Sequence, residues 1–308
     1  MSAASQISKA SILCAPARRI ARRDVLPGKR LALGYTLTYL SLIVLLPLAG
    51  LVLKTAQLSW ADFWNTVWSD PFVRASYRLS FQAAAAAAIL NSFFGLIVAW
   101  VLVRYRFPGR RLFDAVVDFP FALPTAVAGL TFASLYGNVH WIDQVRLGTW
   151  ITRAASKLGA GLSPDALSGL DQFRVIVMLM FVGLPFVVRS VQSVLQDWDV
   201  EAERAAVSLG AGRWMTFRRV VFPELMPAWL SGLALAFARA VGEYGSVIFV
   251  AGNIPGQSEI APLRIMTKLD DFRYAEATAI AVVLLGTSLL VLLFINGLEW
   301  FSRRHERA

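Results

Sequence analysis

The sequence predicts an all-α fold: a polytopic membrane protein with six transmembrane helices. Composition is the first observation. Of 308 residues, 57% are hydrophobic and only 16% charged, and the mean hydropathy is +0.57, well on the apolar side of the soluble balance. The second is that six apolar runs each reach the roughly 20 residues that a helix needs to cross a bilayer. The third is where the positive charge lies. The formal net charge of +10 would suit a nucleic-acid binder, but Lys and Arg gather at the ends of apolar runs, as in membrane proteins.

The first run, Leu33–Leu53, follows a basic tail, residues 1–32, that holds Lys9, Arg18, Arg19, Arg22, Arg23, Lys29 and Arg30. Its apolar stretch is too long for a cleaved signal, so it reads as a retained span. Next, Ser59–Ser76 spaces Trp60, Phe63, Trp64, Val67 and Trp68 helically. That suits a helix lying at the headgroup level, or a docking surface for an external partner. The second run, Leu79–Val103, contains the alanines Ala83–Ala88, a surface for close helix approach, and ends at Arg104, Arg106, Arg110 and Arg111. The third, Phe113–Tyr136, carries Pro120 and Pro124, which free backbone carbonyls and favour a kink. Asp118 is expected in solvent at its edge. Gly137–Gln172 reads as a long loop with one short helix near Trp150–Leu158. The fourth run, Val175–Leu195, holds Pro185. The fifth and sixth are Ala228–Val250 and Ala277–Glu299, before a short tail, residues 300–308, with Arg303, Arg304 and Arg307. The basic residues favour both termini and the loop after the fourth run on the cytoplasmic side.

That loop, Asp197–Pro227, is the most informative part of the chain. It is polar and basic, yet sits between two apolar runs. Val200–Leu209 reads as a short helix with Ala205, Ala206 and Leu209 on a small apolar face. Gly210 permits a sharp turn, because glycine tolerates a backbone that other residues avoid. Trp214, Phe217, Val220 and Val221 then recur at helical spacing among Arg213, Arg218 and Arg219. Pro223 and Pro227 are expected to end the segment. The product is a small rigid knob, suited to a groove on a soluble partner.

The segment resembles the EAA loop of the permeases of bacterial ABC importers. The family pattern is Glu-Ala-Ala, three residues, Gly, nine residues, Ile, one residue and Leu-Pro. Here the alanines are Ala205 and Ala206, the glycine is Gly210, and Val220, Val221, Phe222 and Pro223 follow at the right distance. Arg204 stands where the family has Glu, with Glu203 beside it. The stretches FVGLPFVVRSVQSVLQDWD and GEYGSVIFVAGNIPGQSE are similar to the T-type (or U-type) permeases of sulfate/thiosulfate importers. This resemblance, over roughly Arg30 to Phe301, implies a type I importer fold, with a transmembrane domain over residues 33–299. It also implies an ATPase dimer, a second permease (a W-type sister or a second copy), and a periplasmic sulfate-binding protein. The implied cargo is sulfate or thiosulfate, with molybdate or another tetrahedral oxyanion as the alternative. Coupling to the ATPase is assigned to Glu203, Arg204, Ala205, Ala206, Gly210 and Pro223.

Arg239 and Glu243, four apart in the fifth run, fall on one helical face. Ionisable groups at this depth are costly and face a bundle interior or a polar path. They read equally as an ion pair fixing helix register and as a border of the translocation path. The chain lacks the phosphate-binding loop of an ATPase: Gly28-Lys29-Arg30 has neither the leading glycine nor the Ser/Thr. No catalytic residue, cofactor or metal site is expected, since the chain has one Cys, two His and no His-Glu-x-x-His. An ion-coupled secondary transporter is the reading from another class. It would want internal repeats and several deep carboxylates, and only Glu243 qualifies.

Overall fold

The computed structural model describes residues 29–137 and 170–305, and every regular element among them is helical. The predicted helix near Trp150–Leu158, Cys14, most of the N-terminal basic tail and residues 306–308 lie outside the described residues. The chain divides into two units, Met1–Gly50 and Leu51–Ala308. The first contributes most of α1, in which Lys29–Leu40, a π-helical turn at Ser41–Leu45 and Leu46–Thr55 follow without a break. The apolar part, Leu31–Thr55, is long enough to cross a membrane.

In the second unit, α2 joins Trp60–Trp64 to a π-helical turn at Asn65–Ser69. The Ser59 side chain caps its start by accepting from the Asp62 amide. Trp60, Trp64 and Trp68 form an exposed ladder, with centroids 6.3 and 6.1 Å apart, while Val67 on the other face is buried. An exposed indole stripe backed by an apolar anchor is the arrangement expected at a headgroup boundary.

Helix α3, Pro71–Arg104, runs eight residues upstream of its predicted start, because Asp70 caps it through the amides of Phe72 and Val73 and Pro71 suits the first turn. With α6, Leu170–Gln196, and α9, Phe222–Val241, it forms the central packing. Ala83, Ala84, Ala87 and Ala88 are buried there. A Cβ on Gly232 of α9 would stand 2.9 Å from Val187 Cα of α6, so only glycine permits this approach. Asn91 donates to Met180 O at 3.0 Å and Trp229 Nε1 to Ser92 O at 2.9 Å, tying the three helices by hydrogen bonds. After α11, Ala261–Asp270, helix α12, Tyr274–His305, closes the bundle against α9, and Tyr77 of α3 donates to its Ile280 carbonyl at 3.0 Å.

Two predicted spans differ from expectation. The third is not one kinked helix. It is α4, Arg110–Ala122, and α5, Thr125–Gly137, and the pair is bent by 108°. The break falls at Leu123 and Pro124, while Pro120 is carried inside α4. The fifth span ends early, at Val241. Residues 242–246 are non-helical, and a single turn, α10, Val247–Val250, resumes. Among the described residues, five helices are long and apolar enough to cross a membrane, or six if the bent pair is one span.

Nor do Pro223 and Pro227 end the loop segment. The helix runs from Arg213 to Val241, with Pro227 inside it. A π-helical turn at Phe217–Val221 absorbs the disturbance. Among the described residues the same widened turn occurs three times. The residue just before Pro47, Pro71 and Pro223 donates five residues back, to the carbonyls of Ser41, Asn65 and Phe217. Proline crowds the carbonyl four residues earlier and offers no N–H to it, so the ladder widens by one residue ahead of the ring.

Candidate coupling surface and ion-path residues

The loop segment is built as an elbow. Helix α7, Val200–Ser208, starts at Asp199, whose carboxylate accepts from the Glu201 amide at 2.9 Å. It stops at Gly210, where φ is +87°. The Gly210 amide donates to Val207 O and the Ala211 amide to Ala206 O, at 2.9 and 3.0 Å. This pair of reversed bonds satisfies the orphan carbonyls of a helix end and requires a left-handed residue between them. Helix α8, Arg213–Thr216, begins after Gly212 and passes through the π turn into α9.

No residue of α7 is buried. Ala205, Val207 and Leu209 are exposed, and Leu209 is 88% so; Ala206 is half-buried. An apolar tip on a charged segment is thus presented outward. Its base is fixed. Glu203 pairs with Arg104 at the end of α3, and the Arg104 guanidinium lies 5.1 Å from the Trp100 ring. Phe217 meets Trp100 edge-on at 5.4 Å and stacks with Trp214 at 5.8 Å. Arg204, in the family's Glu position, is exposed, and the ion pair to the bundle is made by its neighbour Glu203. Pro223 stands in the first turn of α9.

Arg239 and Glu243 meet, with Nη1 to Oε2 at 2.6 Å, but not as two positions on one continuous helix. Glu243 lies past the end of α9, in the interruption. It is 2% exposed, and its Oε1 accepts from the Ser246 amide at 3.1 Å and the Ser246 hydroxyl at 2.8 Å. The carboxylate therefore replaces the backbone acceptors that the broken helix gave up. The α4–α5 break packs on the same place. A Cβ on Gly129 would stand 2.4 Å from Ser246 O, and one on Gly245 would stand 2.4 Å from Thr125 Oγ1. Two interrupted helices are thus locked together at glycines, beside the ion pair.

A second charged cluster has no counterpart in the sequence reading. Arg189 of α6 forks onto Asp118 through Nε at 2.8 Å and Nη2 at 2.5 Å, and onto Asp114 Oδ1 at 2.7 Å. Gln192 accepts from Arg189 at 2.5 Å and donates to Asp114 at 3.0 Å. Asp118, its side chain 49% exposed, is in contact with solvent as expected, and is also held in a bidentate pair joining α4 to α6. The spacing of Asp114 and Asp118 marks an acidic helix face; the arginine opposite Asp118 lies 71 residues further on.

Among the described residues no group of His, Cys, Asp or Glu is arranged to hold a metal ion.

Comparison with known proteins places this architecture. The family described as "Binding-protein-dependent transport system inner membrane component" matches residues 91–307. The "Sulfate transport system permease protein CysT" of Escherichia coli (strain K12) is 46% identical over 286 residues, covering 92% of this chain and 98% of that protein. The "Probable sulfate transport system permease protein cysT" of Nephroselmis olivacea is 46% identical over 273 residues, covering 89% and 90%. Among solved structures, a bacterial ABC transporter involved in the import of the acidic polysaccharide alginate aligns at TM-score 0.65 and 16% identity, over 90% of this chain and 97% of that one. A bacterial alginate ABC transporter in complex with a periplasmic protein bound to alginate pentasaccharide aligns at 0.63 and 16%, over 87% and 92%. The predicted all-α, type I importer fold therefore holds, and this multi-pass membrane chain belongs to the family of binding-protein-dependent transport system inner membrane components.

Proposed function

We propose that the chain is the permease subunit of an ATP-driven importer of sulfate or thiosulfate, and that it forms half of the translocation path. The observation that carries this reading is 46% identity, over nearly the whole of both chains, to a sulfate permease. The exposed elbow supports the coupling role. A helical tip without buried residues, on a base fixed by an ion pair and stacked aromatics, can enter a groove on a soluble subunit without disturbing the bundle. Glu203, Arg204, Ala205, Ala206, Gly210 and Pro223 make up this coupling surface, and Arg239 and Glu243 border the path.

The partners in this reading are an ATPase dimer, which hydrolyses ATP, a second permease (a W-type sister or a second copy) and a periplasmic sulfate-binding protein. The chain lies in the bacterial inner membrane among lipid, with residues 1–32 and 300–308 and the 197–227 loop cytoplasmic. Closure of the ATPases moves the elbows and rocks the two permeases between inward-open and outward-open states. A dianion needs a water-lined route through this interior, since a bare charge in a dry one is prohibitively costly. Cells lacking sulfate import should regain radiolabelled sulfate uptake when this chain and those partners are supplied. No recovery, with all subunits assembled, would reject the function.

The orientation has its own test. In a Cys14→Ser background, a cysteine at Gln257 should react with an impermeant thiol reagent added from the periplasmic side, and one at Ser208 should stay unlabelled. The opposite pattern would invert the topology.

A further inference from the structure

Where α8 and the π turn lie against α3, a groove of about 470 Å³ opens between Leu96, Ile97 and Trp100 on one wall and Arg213, Trp214 and Phe217 on the other. Arg213 is the one charged residue in a lining that is otherwise aliphatic and aromatic. Ile97 is 46% exposed and Trp214 72%, so both walls are open. Phe93, one turn deeper on α3 and also exposed, carries the same face onward. Arg213 is exposed, as is Arg218, one turn beyond Trp214, and neither makes an ion pair among the described residues. Glu203 of α7, the element that packs on α8, is already held by Arg104.

The depth of the groove limits what can reach it. From Arg104, the basic end of α3, back to Leu96 is about 12 Å of helix at 1.5 Å per residue. The floor therefore lies at hydrocarbon depth, out of reach of a soluble subunit. Arg213 and Arg218 stand at the start of the span Arg213–Val241, from which their long stems reach the headgroups. Trp100 and Trp214 face each other across the groove near that level, as indoles do at a membrane boundary. An apolar slot with guanidinium groups at its mouth matches a molecule with an acyl chain for the slot and a phosphate for the guanidinium fork. Basic pockets between transmembrane helices on the cytoplasmic side take anionic headgroups in this way. A zwitterionic lipid offers the same chain but sets its own cation against the arginines.

We propose that this groove is a binding site for one anionic phospholipid of the cytoplasmic leaflet, its acyl chain between α3 and α8 and its phosphate on Arg213 and Arg218. The lipid seats against Trp100, Trp214 and Phe217, the aromatics that fix the base of the elbow, so the charge of the membrane bears on the coupling element. The site is independent of the ion carried, and only the choice of leaflet rests on the orientation proposed above.

The test uses the complete transporter in bilayers of phosphatidylcholine and phosphatidylglycerol. One lipid at a time is brominated near the top of its acyl chains, where bromine quenches a tryptophan it touches. The Trp214 signal is the difference between the unmodified and Trp214→Phe transporters. At equal mole fraction, phosphatidylglycerol should win the site about fivefold over phosphatidylcholine, the effect of one basic residue at an anionic headgroup. High salt should shrink the preference. Arg213→Gln, Arg218→Gln should bring the ratio to about one, and Arg213→Lys, Arg218→Lys should keep most of the preference. Leu96→Phe fills the groove and leaves every charge in place, and it should remove most of the quenching by phosphatidylglycerol. That variant carries the test if the glutamine variant fails to assemble, and unchanged quenching in it overturns the site. Equal quenching by the two lipids does the same, because the groove then holds bulk lipid alone. So does a preference that survives the glutamine variant. Absence of quenching by either lipid in the assembled transporter also overturns the site, since a partner subunit then covers the groove. None of these readings requires uptake, so a failure here is distinct from a failure of the proposed function.

Discussion

Gly210→Pro is expected to leave the chain inserted and bound to its partners, yet to separate ATP turnover from sulfate uptake. Proline holds φ near −65°, far from the +87° found here. It also deletes the amide that donates to Val207 O. The helix end then loses its reversed bonds, at a local cost of about 1–3 kcal/mol. Because α7 buries nothing, that cost falls on the direction of the elbow and not on the core. Gly210→Asn, which tolerates the left-handed region, should keep most of the coupling. The readings are ATPase stimulation by loaded binding protein and radiolabelled sulfate uptake. If both stay normal in Gly210→Pro, the elbow is not the coupling element.

Arg239→Gln should destabilise the assembled complex more than Glu243→Gln does. The two partners sit in different surroundings: Glu243 is 2% exposed and the Arg239 side chain 37%. Removing the arginine strands a buried carboxylate, with a penalty of about 3–5 kcal/mol. Removing the carboxylate leaves a guanidinium that can turn to water, and the amide oxygen of the Glu243→Gln side chain can still accept from Ser246. The double variant should recover most of the lost stability and retain part of the uptake. Thermal denaturation of the purified complex gives the order of the variants, and uptake separates the two roles. Equal losses from the two single variants would contradict the asymmetry. An assembled double variant with full uptake would leave the pair a purely structural role.

Much of this was readable in the chain. Long apolar runs located the first, second, fourth and sixth spans within a few residues, apart from the capped extension of α3. Gly210 announced its turn, since a glycine between two helical patterns has few other uses. Arg239 and Glu243 were found by spacing alone. The breaks were only partly readable, for a physical reason. Hydropathy records how apolar a segment is, not which way it points, so Phe113–Tyr136 read as one span kinked at its prolines, with Pro124 marking the place but not the size of the bend, and Ala228–Val250 read as a plain span. Each can break only because the other covers it, with Gly129 against Ser246 and Gly245 against Thr125. That is a relation between segments far apart in the chain. The Arg189 fork was hidden likewise, because Asp114 and Asp118 reveal a face but not its partner. Pro223 and Pro227 misled in the other direction. Proline usually stops a helix in water, but here a widened turn ahead of Pro223 keeps the helix going, and Pro227 is carried inside it.

The unbroken run from Arg213 to Val241 has a mechanical meaning. Its 29 residues make a stiff rod of about 40 Å at 1.5 Å per residue. Trp214 and Phe217 grip it at one end, and the Arg239–Glu243 pair rides on the other. A tilt of about 10° at the gripped end would swing the far end by roughly 7 Å over that length. Such a stroke would need no relay of side chains: the rod would carry it whole, with the widened turn ahead of Pro223 and the Pro227 ring as the places where its pitch can give.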